Sequence, residues 1–132
     1  MEKERLIQRI QDFQRALIKL QESLELNIGN DIIIDGVIKR FEFCYEFSWK
    51  VMKLYLEYKG IVDVKAPRDV IKEAFSIGLI EEGENYISML KDRNLTVYTY
   101  NQETAYIIYK NIKEIYVKEF EKLIQKLENE EK

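Results

Sequence analysis

Residues 2 to 26 carry Leu6, Ile10, Phe13, Leu17, Leu20 and Leu24. Steps of four and three alternate, which draws one apolar stripe along a helix. "NIGND" then supplies a stop and a start: Gly29 can take a left-handed C-terminal cap, and Asn30 or Asp31 can N-cap the next helix. Residues 32 to 59 read as a second helix that is apolar nearly all round, from Val37, Ile38 and Phe41 to Leu54, Tyr55 and Leu56. Such a helix must be covered on several faces, so it is either central or packed against another subunit. Gly60 ends it. "VKAPRDV" is an extended link into a short helix, with Pro67 at the first helical position and Asp69 in the first turn. That helix stops near Gly78. "EEGENYISMLKDRN" is a second short helix, with Tyr86, Met89 and Leu90 facing inward. Asn101 can N-cap the last helix, whose stripe is Ala105, Ile108, Ile112, Ile115 or Tyr116, Phe120, Leu123 and Leu127. At 1.5 Å per residue that helix is about 40 Å long. The pattern predicts an all-α chain: an antiparallel up-and-down helical bundle of three long and two short helices, in one domain over residues 1–132.

Composition narrows the chemistry. The chain has 132 residues, 46% hydrophobic and 34% charged, enough to bury a core behind amphipathic helices. No apolar run reaches the roughly 18 residues of a membrane span, and "MEKERLIQRIQ" is unlike a signal peptide, so the expected compartment is the cytoplasm. Cys44 is the single cysteine, which excludes an intrachain disulfide; inside an apolar helix it reads as a buried structural thiol. Histidine is absent. The commonest general base and the commonest metal ligand are therefore missing, and neither a catalytic group nor a metal site is expected in this chain. The formal charge, 21 minus 24, is −3. Duplex nucleic acid normally meets a basic excess, so it is not expected as a partner, while RNA stays open.

Two stretches carry candidate chemistry. In "KRFEFCYEFSWKVMK", residues 39–53, polar side chains interrupt the apolar helix, and Glu46 and Lys50 are spaced to pair. This is either a solubilising stripe that registers a partner, or a pocket or partner surface built from Arg40, Glu46, Trp49 and Lys50. Arginine suits phosphate and aromatic faces suit bases. The second stretch is "KDRNLTVYTYNQ", residues 91–102. Arg93 at a helix C-terminus, Asn94 as a cap, and Thr96 and Thr99 bonding to turn backbone are ordinary turn chemistry. Tyr98 and Tyr100 are not needed for a turn. With Arg93 they would place a cation and two phenols near one helix entrance.

"IKRFEFCYEFSWKVMKLYLE", "APRDVIKEAFSIGLI" and "MLKDRNLTVYTYNQETA" together resemble the nucleotidyltransferase substrate-binding protein family, within the wider HEPN group of small helical proteins. The resemblance covers nearly the whole chain in order and spacing. It implies a helical bundle that homodimerises and works with a separately encoded minimal nucleotidyltransferase chain. That partner would use magnesium and a nucleoside triphosphate, and this chain would need no cofactor. This half would bind the substrate that receives the nucleotide. In related pairs the helical protein is a ribonuclease toxin and the nucleotidyltransferase its antitoxin.

The ribonuclease motif of the HEPN group is Arg, four to six residues, His, then x-Tyr. Here the arginine maps to Arg93 and the last tyrosine to Tyr100, but the histidine position holds Tyr98. A phenol, with a reference pKa of about 10, is a poor general base at neutral pH, so no appreciable RNA cleavage is expected. The x-Tyr tyrosine is nucleotidylylated in some related pairs, which marks Tyr100 as a possible acceptor. The resemblance thus implies a substrate, phosphate or modification site from Arg93, Asn94, Tyr98 and Tyr100.

Overall fold

The computed structural model describes residues 2–131, so the expected outer bounds at Met1 and Lys132 lie outside the described residues. Its elements in chain order are α1 (Glu2–Leu24), α2 (Asp31–Tyr58), α3 (Pro67–Ser76), α4 (Gly83–Leu95), a 3₁₀ turn (Thr96–Tyr98), α5 (Gln102–Asn111), a π-helical turn (Ile112–Tyr116) and α6 (Val117–Glu131). No strand occurs among the described residues. α5, the π turn and α6 follow one another without a break, so the bundle has the three long and two short helices that the pattern predicts.

The α1 stripe is buried from Leu6 through Leu20, with Leu24 packed partly against the core. α2 resolves the choice left by its apolar surplus: it is the central helix, in contact with α1, α3, α4, α5 and α6. Its buried face runs from Val37 and Ile38 to Tyr55 and Leu56. Phe43, at 55% exposed, is the large apolar residue of its middle turns that stays outside. The surplus is mostly covered within the chain, so it does not by itself demand a second subunit. An aromatic knot closes the core. Phe41 stacks on Tyr116 at 5.5 Å between centroids, and Phe120 meets Phe13 edge-on at 5.7 Å.

Punctuation follows local chemistry, with one correction. Asn30 caps α2 through Ile32 N at 2.9 Å, and Gly60 and Gly78 adopt φ of 92° and 79°, which favours glycine. Gly29 is not left-handed; its N–H donates to Asn27 Oδ1 at 3.1 Å, and α1 has already ended at Leu24. A side-chain acceptor two residues back turns the chain there in place of a glycine cap.

The last long helix is not a plain α-helix as expected. The π turn spends an extra residue, so Tyr116 faces the core at 1% exposure while Ile115 points out at 37%. Tyr116 then donates to Asp92 Oδ2 at 2.5 Å, and Asn111 donates to the same oxygen at 3.0 Å. These bonds fix the end of α4 one residue before Arg93.

Cys44 is fully buried, and burial pushes its thiol up to about 12. The thiolate is the reactive form. Native protein should therefore stay unlabelled by a thiol reagent at pH 8 and label on addition of denaturant. Rapid labelling of the native state would contradict this placement.

Candidate functional site

The site is built where the end of α4 lies against the middle of α2. Arg93 falls in the last turn of α4, where a cation suits the carbonyl end of the helix. Thr96 locks that turn: its hydroxyl donates to the Arg93 carbonyl at 2.7 Å and accepts from Arg93 Nη1 at 3.3 Å. Thr99 donates to the Thr96 carbonyl at 3.0 Å, and Asn101 Oδ1 accepts from Thr104 N at 3.2 Å to open α5. Asn94 is exposed and makes no capping bond among the described residues; the threonine does that work because its hydroxyl reaches back three residues.

Across the groove, Glu42 and Glu46 sit one turn apart on α2. Glu42 Oε1 lies 3.8 Å from Arg93 Nη1, and Glu46 Oε1 lies 3.7 Å from Arg93 Nε. Both distances exceed a hydrogen bond, so the guanidinium is held by charge rather than clamped. The other oxygens are used elsewhere: Glu46 Oε2 accepts from Trp49 Nε1 at 3.2 Å, and Glu42 Oε2 meets Lys39 Nζ at 3.3 Å. About a third of the Arg93 side chain remains exposed.

Several expected groupings therefore change. Glu46 does not pair with Lys50, which is exposed and unpaired among the described residues; Arg93 and Trp49 compete better for its oxygens. Trp49 is partly buried beside Glu46 and joins the Arg93 site. Arg40 does not. It turns to the α1 side of α2, donates to the Lys19 carbonyl at 2.6 Å, and lines an open groove of about 360 Å³ with Arg15, Phe43 and Phe47. Tyr98 and Tyr100 are 52% and 84% exposed, and no hydrogen bond or ring contact joins either to Arg93 among the described residues. Tyr100 borders a small groove of about 140 Å³ with Asp31, Ile34 and Asp35. The cation thus meets the carboxylates of α2, not the two phenols.

Sequence reasoning left Glu42, Tyr45 and Asp92 out of the site. Glu42 precedes Glu46 by four residues, a spacing that places both on one helical face and was legible. The others depend on which helices meet. Tyr45 is buried under the site, and burial raises its phenol; Glu46 adds to the rise, while Arg93 and Arg68 oppose it. No group of three or more Cys, Asp or Glu side chains able to hold a metal occurs among the described residues.

Residues 8–129 match the model of a family described as nucleotidyltransferase substrate binding protein like. The chain belongs to this family. A solved structure from Thermus thermophilus is similar at 30% identity and a TM-score of 0.75, over 91% of this chain and 98% of that one. A second, from Haemophilus influenzae, is described as revealing the fold of a substrate binding domain of a nucleotidyltransferase. It is similar at 27% identity and a TM-score of 0.71, over 96% of this chain and 98% of that one. A curated Haemophilus influenzae protein, "Probable ribonuclease HepT", is 34% identical over 93 residues; the match takes in 67% of this chain and 64% of that protein's length. The all-helical fold and the family expected from the three motifs both hold. No helix among the described residues is long and apolar enough to cross a membrane.

Proposed function

We propose that this chain is the non-catalytic, substrate-binding subunit of a two-component minimal nucleotidyltransferase, acting in the cytoplasm as one helical domain and binding a separate catalytic chain. The carrying observation is a family match across residues 8–129 in a chain that presents a loosely held arginine but contains no histidine. Arg93 holds phosphate of the substrate or of the transferred nucleotide, because a guanidinium at 3.7–3.8 Å from its carboxylates can exchange them for closer charge-assisted bonds. Glu46 and Trp49 share that site, with Asn94 and Tyr98 at its rim; Arg40 and Lys50 belong to partner surface. Magnesium and the nucleoside triphosphate are the partner's. A homodimer would use the exposed apolar residues Ile32, Val97, Tyr98, Tyr106 and Ile107, which a monomer leaves in water.

The HepT relative and one geometric fact support a second reading, a HEPN-type toxin or inactive relative silenced by a nucleotidyltransferase antitoxin. Tyr100 is 84% exposed, open to a partner's active site. Its phenol oxygen would attack the α-phosphorus of ATP; the bond to the β-phosphate breaks, pyrophosphate leaves, and the phenolic proton passes to solvent.

Purified chain, mixed with a minimal nucleotidyltransferase, α-labelled ATP and a cell extract as the source of acceptor, tests both. The substrate-binding reading expects a stable complex, no RNA cleavage by the chain alone, and label on a third molecule. Label on the chain that Tyr100→Phe abolishes selects the second reading. No complex and no label rejects both. Robust RNA cleavage lost in Arg93→Ala would make the chain itself a ribonuclease, contrary to what Tyr98 in the histidine position predicts. The Arg93 ion pairs are half-buried but lie at 3.7–3.8 Å, beyond hydrogen-bond length, so Arg93→Ala should lower the unfolding midpoint only modestly while it impairs labelling.

A further inference from the structure

An open groove of about 420 Å³ runs between α3 and the start of α4, apart from both the Arg93 site and the small groove beside Tyr100. Its floor is apolar: Ile71 is buried, Ile87 is half-buried, and Phe75 is 53% exposed. α4 begins hard against this floor. A Cβ at Gly83 would stand 3.2 Å from Phe75 Cδ1, so a glycine lets the helix start there. Glu81, Glu82 and Glu84 form the rim, and none has an ion pair or side-chain hydrogen bond among the described residues. Lys72, on the same rim, pairs with none of them. The helix dipole accounts for Glu84, in the first turn of α4. It does not account for the others: Glu82 stands at the N-cap without a side-chain capping bond, and Glu81 precedes the helix.

An apolar floor inside a carboxylate rim selects its occupant by charge. A lysine or arginine lays its methylene stem on apolar surface while its head reaches a carboxylate, and a cation over the Phe75 ring gains further attraction. A segment with an apolar side chain flanked by such residues therefore fits, and an acidic segment is repelled. The α1–α2 groove around Phe43 carries Arg15, Lys19 and Arg40 and so takes a segment of the opposite charge. Position on α4 favours one occupant. Gly83 and Arg93 lie about 15 Å apart along that helix, at 1.5 Å per residue. A domain of about 100 residues has a radius of gyration of about 13 Å. One catalytic chain docked on the groove thus has the span to reach the Arg93 end of α4.

We infer that the α3–α4 groove docks the partner catalytic chain through a basic segment, which seats an apolar side chain on Phe75 and sets lysine or arginine against Glu81, Glu82 and Glu84. This rests on the reading of the chain as a partner-binding subunit, and adds the surface and the chemistry of the contact.

The test is calorimetric titration of the full chain with a purified minimal nucleotidyltransferase, at low and at high salt. The variants are Phe75→Ser, Glu81→Gln combined with Glu82→Gln, and Lys72→Glu, each also melted and sedimented alone. Wild-type binding should weaken as salt rises. Phe75→Ser should weaken it at least tenfold with an unfolding midpoint near wild type, because half of the ring already lies in water. The paired glutamines should weaken binding at least fivefold at low salt and flatten its salt dependence, since salt screens the rim charges. Lys72→Glu should tighten it at low salt. If the complex forms and every variant binds like wild type, the groove is wrong and the partner reading stands. Weakening by Phe75→Ser alone, with a lowered midpoint and the charge variants unchanged, would mean a structural ring and also overturns the groove. Variants that change the sedimentation of the chain by itself would assign the groove to a second copy instead. A wild-type chain that forms no complex sinks both readings.

Discussion

Phe41→Ala should be the most destabilising single truncation in the bundle, at roughly 3–5 kcal/mol. Phe41 is fully buried, stacks on Tyr116 at 5.5 Å, and lies 6.3 Å from Phe120 and 6.4 Å from Tyr45. Its ring joins α2 to the π turn and α6, so the cavity would open where three segments meet. For a chain of this length the midpoint should fall by roughly 10–20 °C. Trp49→Ala is the control. The larger ring is only partly buried, at the edge of the core, so its loss should cost clearly less. Thermal unfolding of both variants decides it. Phe41→Ala within 1 kcal/mol of wild type, or Trp49→Ala the more damaging of the two, would contradict the placement of the core.

Alkaline pH should destabilise the protein steeply, from about pH 9 upward. Four buried acids are raised in the folded state. Cys44 goes up to about 12 by burial. Tyr86 is raised by burial and then by Glu119; Tyr116 by burial and then by its hydrogen bond to Asp92; Tyr45 by burial and then by Glu46. Each is neutral when protonated, so unfolding releases protons once the pH passes the ordinary values near 8.5 for a thiol and 10 for a phenol. The unfolded state then binds fewer protons than the native one, and stability falls as pH rises. The contribution is fully present below those ordinary values and is lost through the raised ones. Each phenol kept protonated costs about 1.4 kcal/mol per pH unit above 10, so three together cost about 4. Urea unfolding between pH 8 and 11 measures the slope. Tyr86→Phe should flatten it by one phenol's share. A midpoint that stays level to pH 11 would show that these groups are not sealed in the core.

Element types were legible in the sequence because they depend on near neighbours. The α1 stripe, Asn30 and Asn101 as caps, Pro67 at the start of α3, and Gly60 and Gly78 at positive φ are effects within four residues along the chain. A pattern of apolar and polar positions carries that information directly. The three motifs likewise identified the family, because they occur together, in order and in register, between residues 38 and 105.

The tertiary structure decided what depends on distant residues. The π turn selects Tyr116 over Ile115, and its reward is a hydrogen bond to Asp92, 24 residues away. Glu46 is spaced for Lys50 but meets Arg93 once α4 docks on α2. Arg40 and Glu46 share a helix, yet its rotation sends one to the α1 groove and the other to the site. Tyr98 and Tyr100 stand in the same connector as Arg93, and the 3₁₀ turn points them to solvent while Arg93 turns inward. Local propensity assigns a residue to a helix. Only packing fixes which face that helix shows its neighbours, and the site lies on those faces.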